Sequence, residues 1–446
     1  AISGSNIEPG WSDTKTFTVE NNSKSEYKYN IVIKDLLNTF VTEGYLQYKI
    51  TSTNGGYNMT EFKDIPKSSI ATDTILAYSV VIPNGVTQSY TIEFKYANDE
   101  SVDQSDDMGK KLSGTLFITE GTEDPNKTLY NQLLADKSTK LTRTDFSKVL
   151  TTNNTKTLYT GVEDSKTVYY FAGNATDNWV KFGKNASNQD LYWRIIRTNS
   201  DGGVRLLYHG TSTTATNAYI GTSKFNSSPN DIAYVSYMYG GIGSISNART
   251  NQTNPSLIKT IIDNWYKDNL NTNYGKYISI TAIYCNDRTY TVSGSNTYFG
   301  ADTRLNINKT PSYDCTATED KFTVDSSTGN GKLTYPIALM TADEISFAGG
   351  RYVKKAPTWY YYNSAKGSST GETDWWLLSP LFWNGSYAGV FNVLGSSNPG
   401  RLNSRDVDVT FGVRPAISLK SCVKYSTGNG SANEPYTINL DPDISC

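Results

Sequence analysis

DWWLLSPLFWNGSYAGVFNVLG, Asp374 to Gly395, opens on the apolar run WWLLSP and then sets Phe382, Trp383, Tyr387 and Phe391 among Gly, Ser and Asn. A plain core strand would offer Leu, Ile and Val there. Rings set among small polar residues are the composition of a surface that meets a partner. Downstream, FGVRPAISL, Phe411 to Leu419, is a second apolar run. Trp375, Trp376, Leu377, Val413 and Ile417 suit a core. Arg414, just before Pro415, is expected to bury its stem and pair its head with a carboxylate such as Asp374. Between the two runs, SYAGVFNVL alternates with period two, so one set of side chains is expected to face inward. We assign Ala388, Val390 and Val393 to the inner side, and Tyr387, Phe391 and Asn392 to the outer; the reversed alternation is the alternative.

Upstream, T-x-x-E at Thr341 and Glu344 is a capping box opening a helix, TADEISFA, that stops at Gly349 and Gly350. PSLIKTIIDNWYKDNL, 255 to 270, predicts another helix, with Pro255 in its first turn and Leu257, Ile258, Ile261, Ile262 and Trp265 on one face. LYWRIIRT and VRLLYH flank NSDGG, which reads as a hairpin turn rather than a phosphate loop, since no helix or G-K-[ST] follows. Two helices among many short strands and loops indicate α+β for this half. Residues 1–120 differ: TKTFTVEN, KYNIVIK, GYLQYKIT, AYSVVIP, QSYTIEFKYA and LSGTLFITE read as strands of an all-β sandwich. The expected organisation is a sandwich over 1–120, a linker with a short helix over 121–154, and an α+β domain over 155–446.

Composition narrows the function. The 446 residues carry 41 Lys+Arg against 43 Asp+Glu and no long block of one sign, which argues against nucleic acid as a partner. Tyr is abundant at 33 residues, as in β-rich extracellular proteins and binding surfaces. The four cysteines allow three pairings. Cys285 with Cys315 and Cys422 with Cys446 are favoured because both pairs end turn-rich segments, and loops of this size are worth about 3 kcal/mol each. Such bridges point to an oxidising, exported location. With one histidine and no C-x-x-C, neither a metal nor another cofactor is expected. No apolar run is long enough to cross a bilayer. The chain is read as a mature or ectodomain form, with a cell-envelope anchor outside it compatible with that reading.

Two resemblances carry this further. IEPGWSDTKTFTVEN, Ile7 to Asn21, resembles the "PG-x-S-x-T-K-x-F-x-V-x-N" opening of Ig-like domains in camelysin and in biofilm matrix fibre subunits of Gram-positive bacteria. The order NWVKFG…YWRIIR, DNWYKDNL then CNDR, LTYPIALMTADEISFAGG, and DWWLLSP…FGVRPAISL, closing on STGNGSANEPYTI, resembles a C-type-lectin-like fold related to formylglycine-generating enzymes and found in secreted proteins of gut Firmicutes. That likeness implies a recognition surface between W-x-L-S-P and G-V-R-P, the segment that diversity-generating retroelements rewrite in some relatives. Only NEPY at Asn433 to Tyr436 and WNG at Trp383 to Gly385 stand where sugar-binding lectins carry calcium ligands, so calcium-dependent sugar binding is not expected. The reactive cysteine pair of formylglycine-generating enzymes has no counterpart.

Catalysis finds little support. The lone His209 ends a strand, Asp343 and Glu344 are explained by capping and the helix dipole, and Asp406 with Asp408 alternate as on any exposed strand. No catalytic residue is assigned. The expected ligand-binding set is Phe382, Trp383, Asn384, Ser386, Tyr387, Phe391, Asn392, Ser397, Asn398, Arg401, Asn403, Arg405 and Asp406, on a secreted or cell-surface bacterial protein whose partner is a protein or glycan on another cell or host surface. The alternatives are a structural subunit of a surface fibre or pilus and, third, a glycan-active enzyme.

Overall fold

The computed structural model describes residues 2–4, 7–122, 124–150, 153–352, 374–395, 398–444 and 446. The chain divides into two compact units, 1–125 and 126–446.

Among the described residues, the first unit has two antiparallel sheets. One orders Ile2–Gly4, Leu112–Glu120, Tyr27–Asn38 and Ser68–Ile82; the other orders Ser12–Glu20, Thr87–Tyr96, Leu46–Ser52 and Lys63–Asp64. All six strands read from the sequence are present. Period two decides what goes inside: Thr87–Tyr96 buries Gln88, Tyr90, Ile92, Phe94 and Tyr96, while the residues between them stay wetter. These side chains share one core with Ile31, Ile33 and Leu36 of the opposite sheet. The buried Tyr29 hydroxyl donates to Gln88 Oε1 at 2.5 Å, which satisfies the polar end of a core ring.

Of the segment expected to be a linker, 121–154, everything from Asn126 onward belongs to the second unit. Helix Leu129–Asp136, capped by the Thr128 side chain, buries Leu129 and Leu133 in the second unit's core, and Thr139–Thr142 adds a parallel strand to Thr157–Glu163. Its apolar positions, few in number, read as an isolated short helix only while the surface that receives them is unseen.

The larger sheet of this unit runs Ala338–Leu339, Pro415–Leu419, Val204–Gly210, Asp190–Thr198, Lys166–Tyr170, Thr157–Glu163 and Thr139–Thr142, with further strands branching from it. NSDGG is its hairpin turn: Gly202 has φ +82°, and Gly203 N–H donates to Asp201 Oδ1 at 2.8 Å. A second sheet centres on Trp375–Trp383. The predicted helix over 255–270 forms from Leu257 to Tyr266 with Ser256 as its cap, and a π-helical turn continues it to Asn271. Its inner face is Ile258, Ile262, Tyr266 and Leu270; Leu257 and Ile261 are exposed, and Trp265 is partly buried. The helix starts two residues past Pro255, which stays outside its first turn, and the apolar stripe is wider than the contact, so the Leu257 and Ile261 edge faces water. Both favoured disulfides, Cys285–Cys315 and Cys422–Cys446, are formed.

The helix opened by the capping box, Ala342–Ala348, is buried along its length. Glu344 is 2% exposed, and its role exceeds capping. Across the hairpin Arg197 stands directly opposite Arg205, an arrangement that repels when uncompensated. Glu344 Oε1 accepts from both, at 3.0 Å from Arg197 Nε and 2.9 Å from Arg205, while Oε2 accepts the Thr341 N–H at 3.0 Å. Arg197 also pairs with Glu163 at 2.8 Å. Beside them Arg304 donates to Asp343 through Nε and Nη2, each at 2.9 Å, and to Asp287 through Nη1 at 2.6 Å. A cavity of about 20 Å³ lies among these groups, room for a water and no more.

Burial pushes the Glu344 carboxyl up, but Arg205, Arg197 and the Thr341 N–H outweigh it and hold it below the ordinary range. Glu163 is held low in the same way, with burial opposed by Arg197, Arg205 and the Ser200 N–H. A carboxyl whose folded value is depressed stabilises fully above its unfolded value of about 4.3 and ceases to do so as pH falls through the folded one. The second unit is therefore expected to lose stability as pH drops below about 4.3. Glu344→Gln leaves two buried guanidinium groups face to face and is expected to cost about 3 to 5 kcal/mol in urea unfolding at neutral pH, with a flatter acid limb.

Candidate ligand-binding surface

Trp375–Trp383 is buried on both sides through Leu381, which is why its sequence is an almost unbroken apolar run. Its neighbours pin it: Trp376 Nε1 donates to Ser223 O at 3.0 Å, Leu378 N to Met340 O at 2.8 Å, and Ser379 Oγ accepts the Ala342 N–H at 2.9 Å. Trp375 pairs in parallel with Gly412 of Thr410–Val413. Arg414, fully buried where the chain passes to Pro415–Leu419, donates through Nε to Tyr208 O at 2.9 Å and lies 3.3 Å from His209 Nδ1, with its guanidinium 5.0 Å from the Trp375 ring centre. The expected partner Asp374 is engaged elsewhere: it accepts from Gly395 N at 2.8 Å and Asn392 Nδ2 at 3.2 Å. His209 packs edge-on to Trp179 at 4.4 Å, and burial, then Arg414 and Arg194, hold its ring well below the usual histidine value. It is a neutral structural imidazole.

From this base the chain turns outward. Asn384 Oδ1 accepts the Ser386 N–H at 3.0 Å and the Tyr387 N–H at 2.7 Å, and Gly385 at φ +90° lets the turn close. The hairpin returns as Ala388–Val393, then Leu402–Asp406 pairs on its far side. Asn384, Ser386 and Arg405 are exposed, and Tyr387 is 50% exposed. Phe382, Trp383, Asn398, Arg401 and Asp406 are half-buried. Ser397 lies outside the described residues.

Three expected contact residues are inside instead. Phe391 and Asn392 are each 0% exposed, and Asn403 is buried as well. Ala388, Val390 and Val393 are buried as expected, so both alternating sets of this strand face protein. The strand lies between Trp375–Trp383 and Leu402–Asp406 with both of its faces covered, and period two then reports no inner or outer side.

One contact seats the Phe382 ring. Gly389 stands opposite Phe382, and a Cβ on it would lie 2.1 Å from Phe382 Cε1: the ring lies across a glycine that leaves it room. On the other side of Gly389 stands Asp406. Burial, and then Asp408, push the Asp406 carboxyl above its usual range, with Arg405 opposing. Asp374 is pushed up by burial against the Gly395 N–H, Arg405 and Asn392. The Arg401 guanidinium sits 5.0 Å from the Tyr352 ring centre, and its Nε is buried with no hydrogen-bond partner; Asn392 Oδ1 is likewise unpartnered. Phe382 and Asp406 thus stand on either side of Gly389 near the turn, whereas Arg401 with Tyr352 lies past Leu402, at the end of the hairpin away from its turn.

The sequence reading missed the hairpin Tyr290–Ser293 with Asn296–Phe299, which extends this sheet by pairing Tyr298 with Phe382, and which exposes Tyr290 and Val292. TYTVSGSNTYF carries the signal, alternation around a Gly-containing turn. It also missed Tyr352. Among the described residues no group of His, Cys, Asp and Glu is arranged to hold a metal, and no helix is long and apolar enough to cross a membrane. Compared with known proteins, the chain matches no family model, no curated protein and no solved structure.

Gly389→Ala is expected to push the Phe382 ring off the sheet and destabilise the unit by about 1 to 3 kcal/mol, seen as a lowered melting temperature and a changed near-ultraviolet dichroism. Ser386→Ala, at the exposed turn, is expected to stay within about 0.5 kcal/mol of the parent.

Proposed function

We propose that the chain is a ligand-binding, adhesin-like protein of the bacterial exterior, and that it recognises a protein or glycan surface without chemistry. The observation that carries this reading is the hairpin tip: Tyr387 half-exposed, with Phe382 and Trp383 half-buried beside it, on strands fixed by buried neighbours. Rigid rings flanked by Arg405 and Asp406 lose little entropy when a partner covers them. The contact set is accordingly Phe382, Trp383, Asn384, Ser386, Tyr387, Asn398, Arg401, Arg405 and Asp406, with Phe391, Asn392 and Asn403 beneath it as support. The resemblance to C-type-lectin-like domains, preceded by an Ig-like domain, favours the same segment. Two disulfides suit an extracellular setting.

A second reading, a fibre subunit, draws on the first unit. Strand Leu112–Glu120 is paired on its outer edge only at Leu112 to Gly114, by Ile2–Gly4, so among the described residues 115–120 present an open edge with Phe117 52% exposed. Negative-stain microscopy separates the two: monodisperse particles favour recognition, filaments assembly.

A glycan array and a pull-down against host-surface proteins supply the ligand. Against it, Trp383→Ala and Tyr387→Ala are each expected to weaken binding by about 2 kcal/mol, roughly 30-fold, and Arg401→Ala to weaken it measurably. Folded variants that bind as well as the parent would refute the assignment.

A further inference from the structure

Lys137 and Asp177 meet in the interior of the second unit. Lys137 is 1% exposed and Asp177 8%, and Nζ lies 2.8 Å from Oδ2. The ammonium is walled by the rings of Tyr436 and Phe171, whose centres are 5.3 and 5.9 Å from it. Both residues stand on fixed elements. Lys137 ends the helix Leu129–Asp136, whose first residue is tied to Val423 O at 2.8 Å, and Asp177 precedes Trp179, whose N–H is held by Gly430 O at 2.8 Å. The two oxygens of Asp177 differ: Oδ2 also accepts the Lys156 N–H at 2.7 Å, whereas Oδ1 is buried with no hydrogen-bond partner. An ion pair taken out of water is costly, and an orphan carboxylate oxygen adds to that cost.

We propose that Lys137 and Asp177 condense to an intramolecular amide, a covalent bond between the segment that enters the second unit and its core. Within the pair one proton first passes from the ammonium to the carboxylate, which frees the Nζ lone pair, and the neutral amine attacks Cγ of Asp177. The new bond is Nζ–Cγ and the bond broken is Cγ–Oδ1. The ammonium carries three protons, of which the amide keeps one and the departing oxygen takes two, so an ammonium and a carboxylate become a neutral amide and one water, with no oxidant or co-reactant. Oδ2 is retained as the amide carbonyl oxygen, and the Lys156 N–H that already points at it stabilises negative charge building there. Hydrogen bonding to Oδ2 places Nζ roughly 3.5 Å from Cγ, a near-attack separation. Nζ also donates to Asn429 O at 3.4 Å, which helps to fix its direction. The other buried Lys–Asp pair, Lys259 with Asp263, has an orphan oxygen too. Among the described residues its carboxylate has no backbone donor in place of the Lys156 N–H, and its four-residue spacing along one helix is that of an ordinary ion pair.

The test is the mass of the full chain, denatured and with its disulfides reduced. The wild type is expected to be lighter than its sequence by one water, and tandem mass spectrometry of a protease digest should yield a branched peptide joining Lys137 to Asp177. Lys137→Arg and Asp177→Ala are each expected to regain the full sequence mass. A wild type at full sequence mass overturns the proposal, as does a water loss that persists in Lys137→Arg or a branch that maps to Lys259 and Asp263.

Discussion

Two arginines face each other in the middle of the second unit's larger sheet, and one carboxylate makes that tolerable. Glu344 accepts Arg197 and Arg205 on one oxygen and the backbone of its own helix cap on the other. Without it the register that sets Arg197 opposite Arg205 would bury two like charges in contact. With it, the hairpin, the helix Ala342–Ala348 and, through Arg197, Glu163 on Thr157–Glu163 are held to one another by charge as well as by packing. The bonds are directional, so the helix cannot slide or rotate on the sheet as it could on an apolar surface alone.

That fixed helix passes its position on. Met340 and Ala342, at its N-terminal end, bond to Leu378 and Ser379 of Trp375–Trp383, and the same strand ends in the hairpin that carries Trp383 and Tyr387. The candidate surface thus stands three steps from the ion pair: hairpin to helix, helix to strand, strand to tip. Arg414 works at the other end of the strand, where its bonds to Tyr208 and His209 join the second sheet to the first. Two buried polar clusters, each costly to desolvate and each fully engaged by partners of known geometry, set the orientation of a surface that neither touches.

How much of this could be read from the sequence depends on how local the deciding interaction is. The strands of the first unit were legible because one side of each meets the core and period two records that. The cap at Thr341 and Glu344 was legible because it closes within four residues. Phe391 and Asn392 were misplaced because their strand has protein on both faces, and the covering elements come from elsewhere in the chain. Lys137 and Asp177, forty residues apart, left no pattern at all. The arginines of YWRIIR and VRLLYH did leave a trace, since a charge inside an apolar strand asks for a partner, but nothing nearby in sequence names Glu344.

The same distinction bears on where the surface can change. Asn384 and Gly385 build the turn, through the Asn384 carboxamide and a left-handed backbone, whereas the exposed side chains of Ser386 and Tyr387 make none of its bonds and can be exchanged at little cost to the fold. Gly389 cannot change freely, because Phe382 occupies the space a side chain would need, and Asn392 is tied to Asp374. Freedom therefore ends two residues past the tip. The proposed binding surface has room to alter its chemistry at Ser386 and Tyr387 and along the outer edge at Arg405, while the strand between them is held by the core. Specificity and stability then draw on separate residues of one short segment, which is what lets turn formers and rings share a stretch bounded by two apolar strands.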